Sequence, residues 1–340
     1  MSYLISIIIT NFNGENDIPN LISSMKEQTI GFENIELVIA DDKSKDRSRE
    51  ILDEYSHKYE NVRPVFLEEN SKRPGRPRNF GINEASADYI MFCDQDDFYK
   101  SDFCEVMYNE ISVKDVDFVS SRFTVCENGK EYLNNNFLDK FDSNIEIRSI
   151  SEFPQIIYTQ ANMTIWNKIY KKDFILKNDI TFVEDHWGED YLFSLECFLN
   201  ASGIIILTKY SGYKYFIYDE SQSHKEVSKE DFFNNGLKPL NIAKKLCLER
   251  NIGYISLVSE YIVTWVEKIM NSNMGDNDLD EVYAELRIWL KEYRITERLV
   301  NIPLHLNILA NIFIKFISLN KFFFKISQKL FNLSNKVMYN

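Results

Sequence analysis

Three aspartates in "YIMFCDQDDFY" (residues 89–99) are the first groups in the chain whose type and spacing could do chemistry. Mostly apolar residues end at Cys93, and Asp94, Asp96 and Asp97 follow within four positions. Like charges so close repel, so the knot is either a solvated turn or a cation site. Mg²⁺ and Mn²⁺ favour oxygen ligands, and magnesium is often held by one or two carboxylates together with substrate phosphates. Other clusters invite the same question. Asp41-Asp42 open "DDKSKDRS", where they line a ligand or simply cap a helix near Arg47. Arg73, Arg76 and Arg78 crowd "EENSKRPGRPRN" (68–79), either as a solvated basic loop or as phosphate ligands, since a guanidinium fork matches phosphate oxygens. Glu189-Asp190 of "GEDYLF" offer a carboxylate base, or merely negative charge where a helix start favours it. Glu184-Asp185 compete for the role of base. Trp166 and Trp187 read as core or as acceptor-facing platforms, and His224 as a surface residue or an added metal ligand. No Ser-His-Asp set, zinc spacing or phosphate-binding glycine loop emerges.

The elements that must position these groups alternate. "LISIIIT" (4–10), "IELVIA" (35–40), "VRPVF" (62–66) and "DYIMFC" (88–93) read as short buried strands. Between the first two, Asp17 reads as an N-cap with Pro19 in the first turn and Ile18, Leu21, Ile22 and Met25 as the buried stripe. A second helix carries Ile51, Leu52, Tyr55 and Tyr59. Such alternation predicts an α/β fold with a mostly parallel sheet and helices on both faces. Ligands of such sheets sit at the carboxyl ends of the strands. The clusters at Thr10–Asn13, Asp41-Asp42 and Asp94–Asp97 would then share one rim. Later segments read as a strand turning at Asn128-Gly129, "MTIWNKIYKKDFI" as strand into helix, "VEDHWGEDYLFSLECFLNA" as an acidic opening that becomes an amphipathic helix, and strands near 203–208 and 212–217. Beyond about 230 the pattern is helical.

Composition narrows the class. The chain has 340 residues, 44% hydrophobic and 14% aromatic, enough for two globular domains. A formal net charge of −13 argues against nonspecific nucleic-acid binding. Five cysteines without a CxxC fit a reduced, cytoplasmic setting. We expect no secretory leader and no ordinary spanning helix. Residues 303–340 contain no acid and five lysines, opposite aromatic residues on a helical wheel. Such a stripe suits docking on protein, including another copy of the chain, or peripheral attachment to the inner face of a membrane through residues 303–338.

"SIIITNFNGENDIPNLISSMKEQT", "ELVIADDKSKDRS", "RPRNFGINEASADYIMFCDQDD" and "GEDYLF" together resemble, in order and spacing, the family 2 glycosyltransferases of GT-A fold. The likeness covers about residues 3 to 220, and some bacterial wall teichoic acid and surface-polysaccharide enzymes look particularly similar. It implies a Rossmann-like GT-A catalytic domain over 1–225 and a helical region over 226–340 for acceptor binding, oligomerisation or membrane association. It implies inverting transfer of a hexosyl or N-acetylhexosaminyl group from a nucleotide-diphosphate donor, a UDP-sugar first, to a hydroxyl of a surface glycan, teichoic acid or glycoprotein. By the same resemblance, Asp94-Gln95-Asp96 match the DxD motif. Asp94 would then sit near the ribose or donor sugar, and Asp94 and Asp96 would hold Mn²⁺ or Mg²⁺. Thr10, Phe12 and Asp41 would line the base, Arg78 would lie near the nucleotide, and Asp190 would be the general base. Pro77, where a small residue is usual, and Gln95 inside the DxD depart from the pattern. The alternatives are a nucleotidylyltransferase, which would need a basic glycine-rich loop near the N-terminus, and a noncatalytic nucleotide-sugar-binding partner in a polymer-synthesis complex.

Overall fold

The computed structural model describes residues 2–127, 129–133, 136–152, 163–217, 227–252, 261–262, 265–266, 268–270 and 272–292. His224 and the basic segment 303–338 lie outside them. The chain divides into two compact units, Met1–Phe153 with Ala161–Tyr218, and Pro154–Gln160 with Asp219–Asn340.

The first unit is built on one sheet. Strand β1 (Ile5–Asn11) lies between β2 (Ile35–Asp41) and β4 (Tyr89–Asp94), with β3 (Val62–Phe66) outside β2, all parallel. Every residue of β2 is buried, as expected for a strand covered on both faces. Helix α1 (Ile18–Lys26) buries the stripe Ile18, Leu21, Ile22 and Met25. Asp17 does occupy its N-cap, but the carboxylate makes no capping bond and instead accepts a long one, 3.5 Å, from Gln95. Helix α2 (Ser48–Lys58) packs on β3, and α3 (Gly75–Glu84) on β1 and β2.

Past β4 the sheet is mixed. Short β5 (Phe98–Tyr99) leads to α4 (Phe103–Ser112), β6 (Phe118–Glu127) and β7 (Lys130–Leu133), which turn back through Gly129 at φ 73°. Strand β8 (Ile145–Ile147) pairs with β10 (Ile204–Ile217), and β9 (Lys168–Lys171) inserts antiparallel between β4 and β6. The two segments read as separate strands near 203–208 and 212–217 are this single strand β10. It is interrupted by register shifts between Leu207 and Ser211 and between Ser211 and Tyr213, where it runs parallel to β6. Alternation of side chains breaks at such a bulge, so the sequence shows two patterns where one strand exists. Helices α5 (Lys172–Lys177) and α6 (Glu189–Asn200) follow β9 as expected.

The second unit is helical where described. Ser228 and Asp231 form a reciprocal capping box on α7 (Lys229–Asp231), which continues through a π-helical turn (Phe232–Leu237) into α8 (Lys238–Glu249); α9 spans Asp276–Glu292. Among the described residues no helix is long and apolar enough to cross a membrane.

One close approach in the first unit fixes α3 against the chain ahead of α6. A Cβ at Gly75 would lie 2.1 Å from the Val183 carbonyl oxygen. Backbone cannot yield as a side-chain tip can, so Gly75→Ala should destabilise the first unit by about 1–3 kcal/mol. Urea unfolding monitored by circular dichroism checks this; an unchanged midpoint would mean that the two segments are free to separate.

Candidate functional site

Parallel pairing puts the strand-end clusters on one rim. Thr10 is the ladder partner of Asp94, and Asn11 that of Asp41. The loop after β1 is clamped to the loop after β2 by a run of bonds: Asn13 N–H to Ser44 Oγ (2.8 Å), Gly14 N–H to Ser48 Oγ (2.9 Å) and Glu15 N–H to Asp46 (3.0 Å). Thr10 is half-buried and Phe12 is exposed, its N–H donating to Gln95 Oε1 at 2.9 Å. Gln95, between Asp94 and Asp96, therefore links the first loop to the fourth strand end.

The acidic residues of the rim have different surroundings. Asp41 is buried and accepts from Asn11 Nδ2 (2.8 Å), from the Ser44 N–H and hydroxyl, and from Arg49 Nε (2.6 Å). Asp42 accepts from the Ser71 N–H and hydroxyl and from Asn70, tying down the arginine-rich loop. Neither caps the helix at Arg47. Asp97 turns inward, accepting from Tyr213 Oη (2.7 Å) and the Phe216 N–H (3.2 Å). Burial first, and the Asp94 charge second, push its carboxyl up to about 8. Asp96 is exposed at the surface but has protein on most sides. Desolvation, then Asp94, then Asp17 raise its carboxyl above the usual range.

The buried Arg78 gathers the other carboxylates. From the first half of α3 its guanidinium donates to Asp94 (3.1 Å), Glu189 (3.1 Å) and Asp190. The guanidinium that the sequence suggested for phosphate is thus engaged by acids from a strand end and a helix start. Its carbon lies 5.4 Å from the Phe182 ring centroid. Phe182 stacks on Phe193 of α6 at 4.0 Å, and both meet Phe92 of β4 edge-on. This aromatic floor joins β4, the segment before α6, and α6 itself.

Gly188, at φ 93°, makes the left-handed turn that starts α6 and places Glu189 and Asp190 in its first turn. Burial raises the Asp190 carboxyl to about 7; Arg78 opposes that shift, Glu189 and Asp94 add to it, and Lys168 opposes it. The competing acids lie elsewhere. Glu184 accepts from Asn79 (2.9 Å), and Asp185 is exposed with its carboxylate 3.7 Å from His186. Trp166 is core, stacked on Tyr213 at 4.1 Å, whereas Trp187 is half-buried beneath Arg73.

Sequence reasoning missed one charged residue here. Lys168 is fully buried, bonded to the Thr164 carbonyl and to Asn167 (3.0 Å), and burial lowers its ammonium to about 7. A lysine in a short strand gives no sequence signal for such a place.

No group of three or more His, Cys, Asp or Glu among the described residues is arranged to hold a metal ion alone. The pair Asp94 and Asp96 nevertheless suits a hard cation that completes its shell on a ligand's phosphates. The donors are all carboxylate oxygen, and the Asp94 charge, which after desolvation helps to raise Asp96, is what a divalent ion would offset.

Residues 6–174 match the glycosyl transferase family 2. The chain belongs to that family. It is 31% identical over 231 residues to the poly(ribitol-phosphate) beta-glucosyltransferase of Bacillus spizizenii, covering 67% of this chain and 35% of that protein. It thus spans about a third of that relative's length. It is 27% identical to the cholesterol galactosyltransferase of Borreliella burgdorferi, covering 83% of this chain and 81% of that one. The crystal structure of S. aureus TarS 1-349 in complex with UDP-GlcNAc superposes with a TM-score of 0.59 at 22% identity, covering 98% of this chain and 89% of that one. The fold is that of the GT-A glycosyltransferases, with the mixed sheet described above.

Removing the shared cation should expose its structural weight. Arg78→Met leaves Asp94, Glu189 and Asp190 crowded without a counter-charge, and should cost on the order of 3–5 kcal/mol of stability near neutral pH. Lowering the pH towards 5 should recover part of the loss as Asp190, raised to about 7 even beside Arg78, takes up its proton. Urea melts of both proteins across that range check it; parallel pH dependences would refute the coupling.

Proposed function

We propose that the protein transfers a sugar from a nucleotide-diphosphate donor, of the UDP-sugar class, to a hydroxyl of a surface-polymer acceptor of the teichoic acid type. The observation that carries this reading is the Arg78 junction, which holds a carboxylate raised to about 7 beside the strand end bearing the DxD residues. Family membership and the names of the relatives support the same reaction class. A hexosyl or N-acetylhexosaminyl group, inversion at the anomeric carbon, and a Mn²⁺ or Mg²⁺ requirement belong to this proposal. The acid-free segment 303–338 supports work at the inner membrane surface.

In this reading Thr10, Phe12 and Asp41 line the base and Asp94 faces the ribose or donor sugar. Asp94 and Asp96 hold the divalent ion, which when bound supplies Lewis-acid stabilisation of the leaving diphosphate. Asp190 takes the acceptor proton as the hydroxyl oxygen attacks the anomeric carbon. A base works best with a pKa near the working pH, which burial gives Asp190. Arg78 keeps Asp190 oriented and partly opposes its protonation. Closing donor and acceptor together removes entropy before the chemical step.

Turnover should follow Asp190 ionisation. Because the folded carboxyl titrates near 7, activity should rise with pH up to about that value and level off above it. Asp190→Asn should keep UDP affinity and lose about 10²- to 10⁴-fold in kcat. Single-turnover assays with UDP-sugars across pH 5–9 check both; turnover within a few-fold of wild type would dismiss Asp190 as base. Asp96→Asn should abolish stimulation by Mn²⁺ while leaving the melting temperature without metal unchanged or raised, since one of the crowded charges is removed. Full metal stimulation in that variant would refute the ligand assignment.

A further inference from the structure

Arg73 and Arg76 differ from the other arginines of the first unit. Arg47, Arg49, Arg63, Arg78, Arg122 and Arg148 each form an ion pair with a carboxylate. Among the described residues Arg73 and Arg76 form none, and neither guanidinium makes a hydrogen bond. They lie over aromatic rings instead, Arg73 at 5.0 Å from the Trp187 centroid and Arg76 at 5.8 Å from that of Phe80. In a chain with 52 acids and 39 basic lysines and arginines, two such cations three residues apart in sequence are out of keeping. No Asp or Glu occurs between Glu69 and Glu84, and the first turn of α3 holds no acid, so nothing local cancels the charge.

The segment that carries these arginines is also fixed against the stretch that leads to the candidate base. Asp42 anchors the loop through Ser71, and Gly75 abuts the Val183 carbonyl. The Asn79 amide donates to the Phe182 carbonyl (2.9 Å) and accepts from the Phe182 N–H (2.8 Å). Trp187 lies three residues ahead of Asp190. A guanidinium stacked on a ring keeps its N–H donors for a ligand, and has less rotamer freedom to lose when one binds.

We propose that Arg73 on Trp187, with Arg76 on Phe80, forms a subsite for the phosphodiester groups of an anionic acceptor chain. The inference rests on the reading of Asp190 as the base that meets the acceptor hydroxyl. The donor diphosphate is the other source of phosphate. It would be met at the strand-end rim by Asp94 and Asp96 through their metal, whereas Arg73 sits on the segment leading to the base, where the acceptor must arrive. A sterol-like neutral acceptor would leave both cations without a partner.

The test is calorimetric binding of a synthetic ribitol-phosphate octamer, and separately of UDP, to the full chain and to R73Q/R76Q and R73K/R76K. The glutamine variant should bind the octamer about tenfold or more weakly, the lysine variant should recover part of that loss, and UDP affinity should hold. The salt dependence of octamer binding between about 50 and 200 mM should flatten in the glutamine variant, because fewer counterions are released. Equal octamer binding by wild type and R73Q/R76Q would overturn the subsite, as would no octamer binding by wild type. A matching loss for UDP would assign the guanidiniums to the donor and overturn it too. Binding is read without turnover, so an octamer-specific loss in a protein that transfers no sugar would uphold the subsite and sink the transfer reading instead.

Discussion

The guanidinium of Arg78 is the contact on which the candidate site depends. Three carboxylates from two distant parts of the chain surround it, Asp94 at the end of β4 and Glu189 and Asp190 at the start of α6. Without a cation between them, that many acids held so close together would repel or protonate. With it, repulsion becomes a positional constraint: the strand that ends at Asp94 and the helix that begins with Glu189 and Asp190 cannot separate without uncovering a buried charge. The stacked rings of Phe92, Phe182 and Phe193 lie beneath the same junction and supply apolar burial that does not depend on pH.

Around this junction one side-chain type takes several roles because its surroundings differ. Asp41 is surrounded by donors from Asn11, Ser44 and Arg49, which hold its carboxylate in one place. Asp97 is buried with Tyr213 and pushed up to about 8, so it fastens β10 to the strand-end turn and is held back from ligands. Asp96 remains at the surface, where a cation can reach it. Asp190 lies between these cases, buried enough to be raised to about 7 and close enough to Arg78 to stay oriented. The knot of acids is therefore divided by burial, with Asp97 turned into the protein and Asp96 left at its surface.

Much of this was legible in the chain itself. Four short β-branched runs separated by helical stripes required a parallel sheet, and a parallel sheet required its polar strand ends to share a rim. The ladder partners Thr10 with Asp94 and Asn11 with Asp41 show that rim. Local rules of this kind work because strand period, helix period and the Gly188 turn depend on residues close in sequence. The same holds for the acids in the first turn of α6, which suit a helix dipole whatever lies nearby.

Other features were decided only by contacts between distant segments. The sequence could name Arg78 as basic, but not that Glu189 and Asp190, more than a hundred residues away, would occupy its donors. It could not turn Asp97 inward and leave Asp96 outside, place β9 antiparallel between β4 and β6, or show that a bulge joins two apparent strands into β10. It also gave Arg73, Arg76 and Arg78 the same appearance, although one is buried among acids and two lie over rings. Residue types and local periodicity fix which groups are available and which elements carry them. Burial and charge pairing arise from the three-dimensional neighbourhood, so the ionisation and partners of each group were left to the tertiary structure.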